Sequence, residues 1–168
     1  MILRGRAWTF GENISTDLII PGRYAHLRGD LAELAKHTLE DIRPEFASTV
    51  RPGDIVVGGR NFGIGSSREH AVLVLKWLGV NAVVATSIAR IFFRNCINAG
   101  LLAIEMETTG IEDGDELEVD LTAHVLRDRT KSFQRSFSPL PKVMRVILSE
   151  GGVVPYIRKY GRFPEEHL

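Results

Sequence analysis

The chain contains 168 residues, of which 44% are hydrophobic, with 21 basic and 21 acidic side chains. This length suffices for one domain with a substantial core, so we expect residues 1–168 to form a single domain, and the balanced charge argues against binding to nucleic acid or an acidic membrane. Cys96 is the single cysteine, which excludes an internal disulfide and leaves the chain unable by itself to hold an iron–sulfur cluster or a structural zinc.

The N-terminal third is predicted to contain two strands and several irregular stretches. MILRGRAWTF lacks the apolar core of a signal peptide, and no apolar run in the chain approaches the roughly 18 residues of a membrane span, so we expect a cytoplasmic protein. RGRAWTFG (4–11) is typical of a strand, and NISTDLIIPGRY (13–24) is predicted to be a loop followed by a strand. Much of 24–46 could be helical, with the polar Arg28-Gly29-Asp30 as a candidate mobile loop.

The middle of the chain is the most regular part. Short apolar runs predict strands at 54–59, 81–87 and 101–106. Apolar residues at helical spacing predict helices from Arg68 to Leu78, ended by Gly79, and over 88–100. This β-α-β-α-β order with short connections implies parallel strands joined by right-handed crossovers.

The C-terminal third alternates apolar and polar residues. From Asp113 to Phe137 the alternation has a period of two, which predicts β-hairpins. Helices are predicted over 141–152 and 154–161. The predicted fold class is therefore α/β, with a central parallel unit and an added β-hairpin layer.

The stretch GGRNFGIGSSREHA (58–71) joins the first strand of this unit to its helix. One interpretation is structural: Ser66 and Glu69 have the spacing of a capping box, with the serine as the N-cap and the glutamate three residues later. The glycines would then only form a tight turn.

The other interpretation of this stretch is an anion site. The first N–H groups of a helix are unpaired and carry partial positive charge, Gly63 and Gly65 permit close approach, and Arg68 offers a forked donor for a carboxylate or phosphate. The stretch is neither a Walker loop, nor a dinucleotide fingerprint, nor a nucleophile elbow, because the residues that define those motifs are missing. On spacing alone, both interpretations remain open.

GRNFGIGSSREHA, together with NISTDLIIPGRY upstream and SIARIFFRNCINAGL downstream, resembles the small subunits of the 3-isopropylmalate dehydratase family. The same pattern belongs to the swivelling domain of the wider aconitase family, including homoaconitase. The resemblance covers nearly the whole chain and implies a three-layer β/β/α swivelling domain. It also implies dehydration and rehydration of a hydroxy di- or tricarboxylic acid, in leucine biosynthesis for 3-isopropylmalate.

The resemblance further implies the cofactor and the partners. No cofactor or metal is expected on this chain, and a [4Fe-4S] cluster is expected on a separate large subunit, which fits the single cysteine. The chain is expected to be active only with that large subunit, whose active site it completes for a small hydroxy-acid substrate. Small-subunit self-association is a further expectation.

The resemblance assigns roles to individual residues. Ser66 matches the catalytic base, Ser67 a substrate contact and Arg68 the arginine that pairs with the substrate carboxylate, with Gly63 and Gly65 supporting the loop. Asp17 matches a catalytic aspartate that orients a histidine of the large subunit. Without the family, Asp17 would read as a turn aspartate.

Arg28 is expected in the loop that sorts substrates. An arginine there suits a third carboxylate, as in homoaconitate or citrate, whereas an apolar side chain suits an isopropyl group; Arg28 could equally be a solvated charge. The leading hypothesis is therefore 3-isopropylmalate dehydratase, the alternative homoaconitase or a related dehydratase. Outside the enzyme class, the alternative is a non-catalytic carboxylate- or phosphate-binding module.

Other candidate residues favour structural roles. His26 and His70 have no partner at metal-ligand spacing, and Cys96 lies on an apolar helix, where packing is expected. Arg90 and Arg94 are expected to be structural or to lie at the subunit interface.

Overall fold

A computed structural model describes residues 1–165 of the chain. Its strands are β1 (Ile2–Thr9), β2 (Ile55–Gly58), β3 (Ala82–Ala85), β4 (Leu102–Glu105), β5 (Glu116–Asp120), β6 (Val125–Asp128) and β7 (Phe133–Ser136). Its α-helices are α1 (Thr16–Ile19), α2 (Leu31–Ala35), α3 (Phe46–Thr49), α4 (Glu69–Trp77), α5 (Arg90–Ala99), α6 (Lys142–Ser149) and α7 (Val153–Tyr160), and a 3₁₀ helix covers Gly22–Leu27.

The strands form one seven-stranded sheet in the order β4-β3-β2-β1-β5-β6-β7. β1 to β4 pair in parallel, and β5 to β7 continue the sheet as an antiparallel meander. β1 belongs to both halves: its residues 7–9 pair with β2, and its residues 2–6 pair with β5. The long first strand therefore joins the parallel unit to the hairpin layer.

The parallel strands are buried on both faces, which makes them the middle layer. On one face Val56, Val83 and Ala103 belong to the core cluster that contains the inner residues of α4 and α5. On the other face Ile55 and Val84 belong to a second cluster, formed with apolar residues of β5 and β6. The antiparallel half thus packs over the parallel half, and the predicted three-layer α/β fold is confirmed.

Most sequence-predicted elements are present. The parallel β-α-β-α-β unit, the hairpins after Asp113 and the two C-terminal helices are confirmed, with shorter strands than predicted. None of the helices in residues 1–165 is long and apolar enough to cross a membrane.

The strand predicted within 13–24 is wrong. Ser15 caps a helical turn there, since its Oγ accepts a hydrogen bond from the Leu18 N–H at 3.1 Å, and α1 is followed by the 3₁₀ helix. The segment 24–46 is helical only in part, because turns separate α2 from α3 and Leu39 takes a left-handed conformation with φ of 57°. Asp30 caps α2 through the Glu33 N–H, and the mobility of Arg28-Gly29-Asp30 stays a prediction.

Candidate functional site

The loop between β2 and α4 is held by the segment that precedes α1. The Gly63 N–H donates to the Ile14 carbonyl at 2.6 Å, and the Thr16 N–H donates to the Ile64 carbonyl at 2.8 Å. The Thr16 hydroxyl, which is buried, donates to the Ser66 carbonyl at 2.9 Å. The two sequence motifs about 50 residues apart are therefore one structural unit.

Gly63 fixes the shape of this loop. Its φ is +79°, and a Cβ at this position would stand 2.5 Å from the Phe92 Cβ and closer still to Cγ. Phe92 is buried and packs edge-to-face on Phe62, with ring centroids 5.6 Å apart. The loop backbone therefore lies directly on the aromatic core, which a side chain at Gly63 would prevent.

The capping-box interpretation of Ser66 is wrong. α4 begins at Glu69 with Arg68 as its N-cap, whose ψ is 98°, and no side chain from the described residues 1–165 caps the helix. The Ser66 carbonyl accepts hydrogen bonds from the Thr16 hydroxyl and the Arg68 N–H, which holds the chain out of helical geometry until Arg68. Within residues 1–165, neither the Ser66 nor the Ser67 hydroxyl has a hydrogen-bond partner, and both residues are exposed.

Arg68 is oriented by the first motif. Its Nη1 donates to the Asp17 Oδ1 at 2.8 Å and to the Ile20 carbonyl at 3.0 Å. The Gly22 N–H donates to the same Asp17 oxygen at 3.1 Å. The Arg68 side chain is 29% exposed and Asp17 is 67% exposed. Nε and Nη2 of Arg68 and Oδ2 of Asp17 are therefore left for groups outside the described chain.

Two clefts flank this loop, and Ser67 and Arg68 line both. The smaller has a volume of about 270 Å³ and is also lined by Arg28, Tyr24 and His70. The larger, which we call the Ser66 cleft, measures about 450 Å³; its lining residues are Thr16, Gly63, Gly65, Ser66, Ser67, Arg68, Ala89, Arg90, Ile91, Phe92, Arg94 and Asn95. Arg28 thus lines the smaller cleft and not the Ser66 cleft.

Arg90 and Arg94 were not predicted to line a site. They enter the Ser66 cleft because the turn before α5 is tied to the glycine loop: the Ala89 N–H donates to the Phe62 carbonyl at 2.8 Å. The segment SIARIFFRN could have indicated their position, because it contains both arginines and is one of the segments that carry the family resemblance. A third and more apolar cavity of about 280 Å³ lies by the antiparallel layer and contains none of these residues.

The described residues do not fit an iron–sulfur cluster. Cys96 is buried, and burial raises the pKa of its thiol well above the usual range, which disfavours the thiolate that a cluster requires. Among residues 1–165, no three His, Cys, Asp or Glu side chains are grouped so as to hold a metal ion.

Comparison with known proteins identifies the class. The sequence profile described as the aconitase C-terminal domain matches residues 12–109, which include the whole of both loop motifs. Since this match covers more than half of the chain, the chain belongs to the aconitase family.

Full-length relatives narrow the assignment within the aconitase family. The chain is 54% identical to 3-isopropylmalate dehydratase small subunit 1 of Thermotoga maritima, over 98% of this chain and 99% of that one. It is 55% identical to small subunit 2 of Archaeoglobus fulgidus, over 96% and 98%. The crystal structure of a 3-isopropylmalate dehydratase from Methanocaldococcus jannaschii superposes with a TM-score of 0.92, at 43% identity over 96% of both chains. Within the aconitase family, the chain belongs with these small subunits of hydro-lyases.

Another relative bears a different name. The chain is 51% identical to the methanogen homoaconitase small subunit of Methanothermobacter thermautotrophicus, over 94% of this chain and 92% of that one. Overall identity therefore separates the two substrate classes poorly.

Proposed function

We propose that this chain completes the active site of a heteromeric hydro-lyase that isomerises 3-isopropylmalate, with Ser66 as the catalytic base. The observation that carries the proposal is the Ser66–Arg68 loop: an exposed serine without a hydrogen-bond partner among residues 1–165 stands beside an arginine that Asp17 holds in place. The fold brings these three residues together from two separate sequence motifs.

The reaction begins with removal of a proton from the carbon next to a substrate carboxylate. The C–H electron pair forms the C=C bond, and the proton moves to the Ser66 Oγ. The C–O bond of the neighbouring carbon breaks as its hydroxyl takes a proton from an acid of the large subunit, for which the histidine that Asp17 would orient is the candidate, and leaves as water. Addition of water in the opposite regiochemistry returns the isomer. The base must be the alkoxide, because a neutral serine hydroxyl is too weak a base.

This chain supplies stabilisation for the Ser66 alkoxide. Ser66 precedes the uncapped N-terminus of α4, where unpaired N–H groups carry partial positive charge. Gly65 has φ of +106°, a conformation that turns the backbone of the loop sharply just before Ser66. Arg68 adds guanidinium N–H donors from the same loop, with its charge balanced by Asp17.

Arg68 and Ser67 are proposed to bind the substrate carboxylate. The Arg68 Nε and Nη2 form a planar donor pair that suits a carboxylate, while Nη1 is already bound by Asp17 and Ile20. Asp17 is therefore a positioning residue for Arg68. Its second oxygen is available to orient a histidine of the large subunit.

The large subunit is proposed as the obligatory partner, in the cytoplasm. The relatives that cover the full chain are named small subunits, and the Ser66 cleft is open on this chain. The [4Fe-4S] cluster that the family resemblance implies would have its ligands on that partner, where it would supply Lewis-acid chemistry. Self-association of the small subunit stays a prediction.

Two experiments test the proposed base. Reconstitution with the large subunit under anaerobic conditions is expected to give isopropylmalate isomerisation, and full turnover by this chain alone would contradict the two-subunit proposal. Ser66→Ala is expected to leave assembly and folding unchanged and to lower kcat by at least about 100-fold, as for loss of a general base. Ser67→Ala serves as the matched control and should affect KM more than kcat. Near-normal turnover of Ser66→Ala would refute the assignment.

Homoaconitase is the second candidate, because Arg28 is exposed in the smaller cleft, where it makes no ion pair among residues 1–165. A substrate panel on the reconstituted complex decides between them. If Arg28 binds a third carboxylate, Arg28→Val should lower kcat/KM for tricarboxylates about 10- to 100-fold and spare isopropylmalate, since a hydrogen bond to a charged group is worth about 1.5–3 kcal/mol. Equal effects on both substrates would leave Arg28 without a role in selection.

A further inference from the structure

The Ser66 cleft is strongly cationic in a chain whose net charge is zero. Three arginines line it, at positions 68, 90 and 94, and no aspartate or glutamate among residues 1–165 does. Asp17 neutralises Arg68 at 2.8 Å. The remaining positive charge of the cleft comes from Arg90 and Arg94 on α5.

Neither of these arginines has an acidic partner among residues 1–165. Both are exposed and form no side-chain hydrogen bond or salt bridge in that part of the chain. Glu105 lines a neighbouring groove with them, but its Oε1 accepts the Ile88 N–H at 2.8 Å and it makes no ion pair with either arginine. The cleft therefore retains an unbalanced charge of about two units.

The positions of Arg90 and Arg94 also oppose local helix electrostatics. Arg90 is the first residue of α5, where the positive end of the helix dipole disfavours a cation. Arg94 follows at i+4, where like charges repel, and side chains on a helix lean toward its N-terminus. An anion in the Ser66 cleft would relieve both unfavourable terms, and violations of local rules of this kind are expected at functional sites.

We propose that Arg90 binds a second carboxylate of the substrate in the Ser66 cleft, with Arg94 strengthening the positive potential from the next turn. This inference rests on the proposed function, because a hydroxy dicarboxylate has a second carboxylate that Arg68 does not hold. It makes Arg90 a substrate-binding residue in the Ser66 cleft, which Arg28 does not line. The cleft of about 450 Å³ has room for a small dicarboxylate beside Ser66.

The test uses the reconstituted complex and a ligand whose binding does not require turnover. Calorimetry measures the Kd of malate, a hydroxy dicarboxylate, and of its two monoamides, each of which replaces one carboxylate by a neutral amide. Arg90→Gln should weaken malate binding about 10- to 100-fold and should leave the Kd of one monoamide nearly unchanged, because that monoamide already lacks the carboxylate that Arg90 binds. Arg90→Lys should have a malate Kd between those of the unsubstituted complex and Arg90→Gln, because lysine keeps the positive charge but lacks the forked donor pair of arginine.

Arg129→Gln is the matched control, because Arg129 is exposed after β6 and far from the cleft in sequence. It should leave every Kd unchanged. An unchanged malate Kd in Arg90→Gln, equal weakening of malate and both monoamides, or no malate binding to the unsubstituted complex would overturn the proposal. Loss of assembly in Arg90→Gln would also overturn it, by assigning Arg90 to an acidic group of the large subunit.

The same complex separates this proposal from the proposed function. Isopropylmalate turnover by the unsubstituted complex tests the function, whereas the malate Kd tests Arg90. A complex that binds malate through Arg90 but does not isomerise isopropylmalate would refute the function alone.

Discussion

Substitution of Gly63 by alanine tests whether the glycine loop is fixed by its contact with the aromatic core. Two separate costs are expected. Alanine at a φ of +79° lies in the left-handed region, which costs about 1–2 kcal/mol for a residue with a Cβ. The new Cβ also stands 2.5 Å from the Phe92 Cβ, so Phe92 must move, and overpacking of this kind costs about 1–3 kcal/mol.

The sum predicts that Gly63→Ala lowers the free energy of unfolding by about 2–5 kcal/mol. Gly65→Ala is the matched control: its φ is +106°, but the nearest atom to its Cβ would be the Thr16 Oγ1 at 3.3 Å. It should therefore show the backbone cost with little of the overpacking cost. Urea denaturation followed by far-UV circular dichroism measures both variants.

The difference in stability between Gly63→Ala and Gly65→Ala tests whether Phe92 restrains the loop. If Gly63→Ala and Gly65→Ala lose the same stability within about 0.5 kcal/mol, Phe92 does not restrain the loop and the packing argument fails. If the argument is right, crystals of Gly63→Ala should show a displaced Phe92 ring, and the reconstituted complex should lose turnover even where the variant is fully folded.

Two further predictions concern buried polar groups. Burial, together with the neighbouring Asp115 carboxylate, raises the pKa of Asp128, whose Oδ2 has no hydrogen-bond partner among residues 1–165. Folding therefore opposes ionisation of Asp128, so this cost is absent below the ordinary carboxyl pKa of about 4 and appears as the pH rises. Asp128→Asn should raise the free energy of unfolding at pH 7 and change it little at pH 3, as judged by urea denaturation. An equal gain at both pH values would contradict this. Thr16→Val keeps the shape of the side chain but removes the hydroxyl that donates to the Ser66 carbonyl at 2.9 Å. Thr16→Val should lower the free energy of unfolding by about 1–3 kcal/mol and should lower turnover. Thr16→Ser, which keeps the hydroxyl, should show smaller losses of both. Identical behaviour of the two variants would exclude the hydrogen bond as the cause.

The central unit of the fold could be predicted because its signals are local. Apolar runs such as Ile55–Gly58 are buried at every residue, and each is followed within a few residues by a glycine or a turn. The period-two alternation after Asp113 likewise predicted the hairpins, because one face of β5 to β7 packs on the core. Such patterns can be recognised in the sequence because a whole strand, or one whole face of it, is buried.

The errors arose where a contact distant in sequence overrides a local preference. Ser66 and Glu69 have capping-box spacing, but Thr16 binds the Ser66 carbonyl and the helix begins later. Residues 13–24 contain enough β-branched residues for a strand, but Ser15 caps a helical turn there, and its backbone pairs with Ile64. Neither outcome can be predicted from the residues that lie nearby in the sequence.

The amino-acid sequence is sufficient to predict the layered α/β architecture and, through its motifs, the family; the anion site at the glycine loop stays a prediction. These follow from residue periodicity and from residue types at fixed spacing. Three features appear only in the folded chain: the ion pair between Asp17 and Arg68, the exposure of Ser66, which is not a helix cap, and the two arginines that α5 contributes to the same cleft. The physical reason is that each of these depends on the parallel crossovers and on Thr16, which bring segments distant in the chain to one end of the sheet.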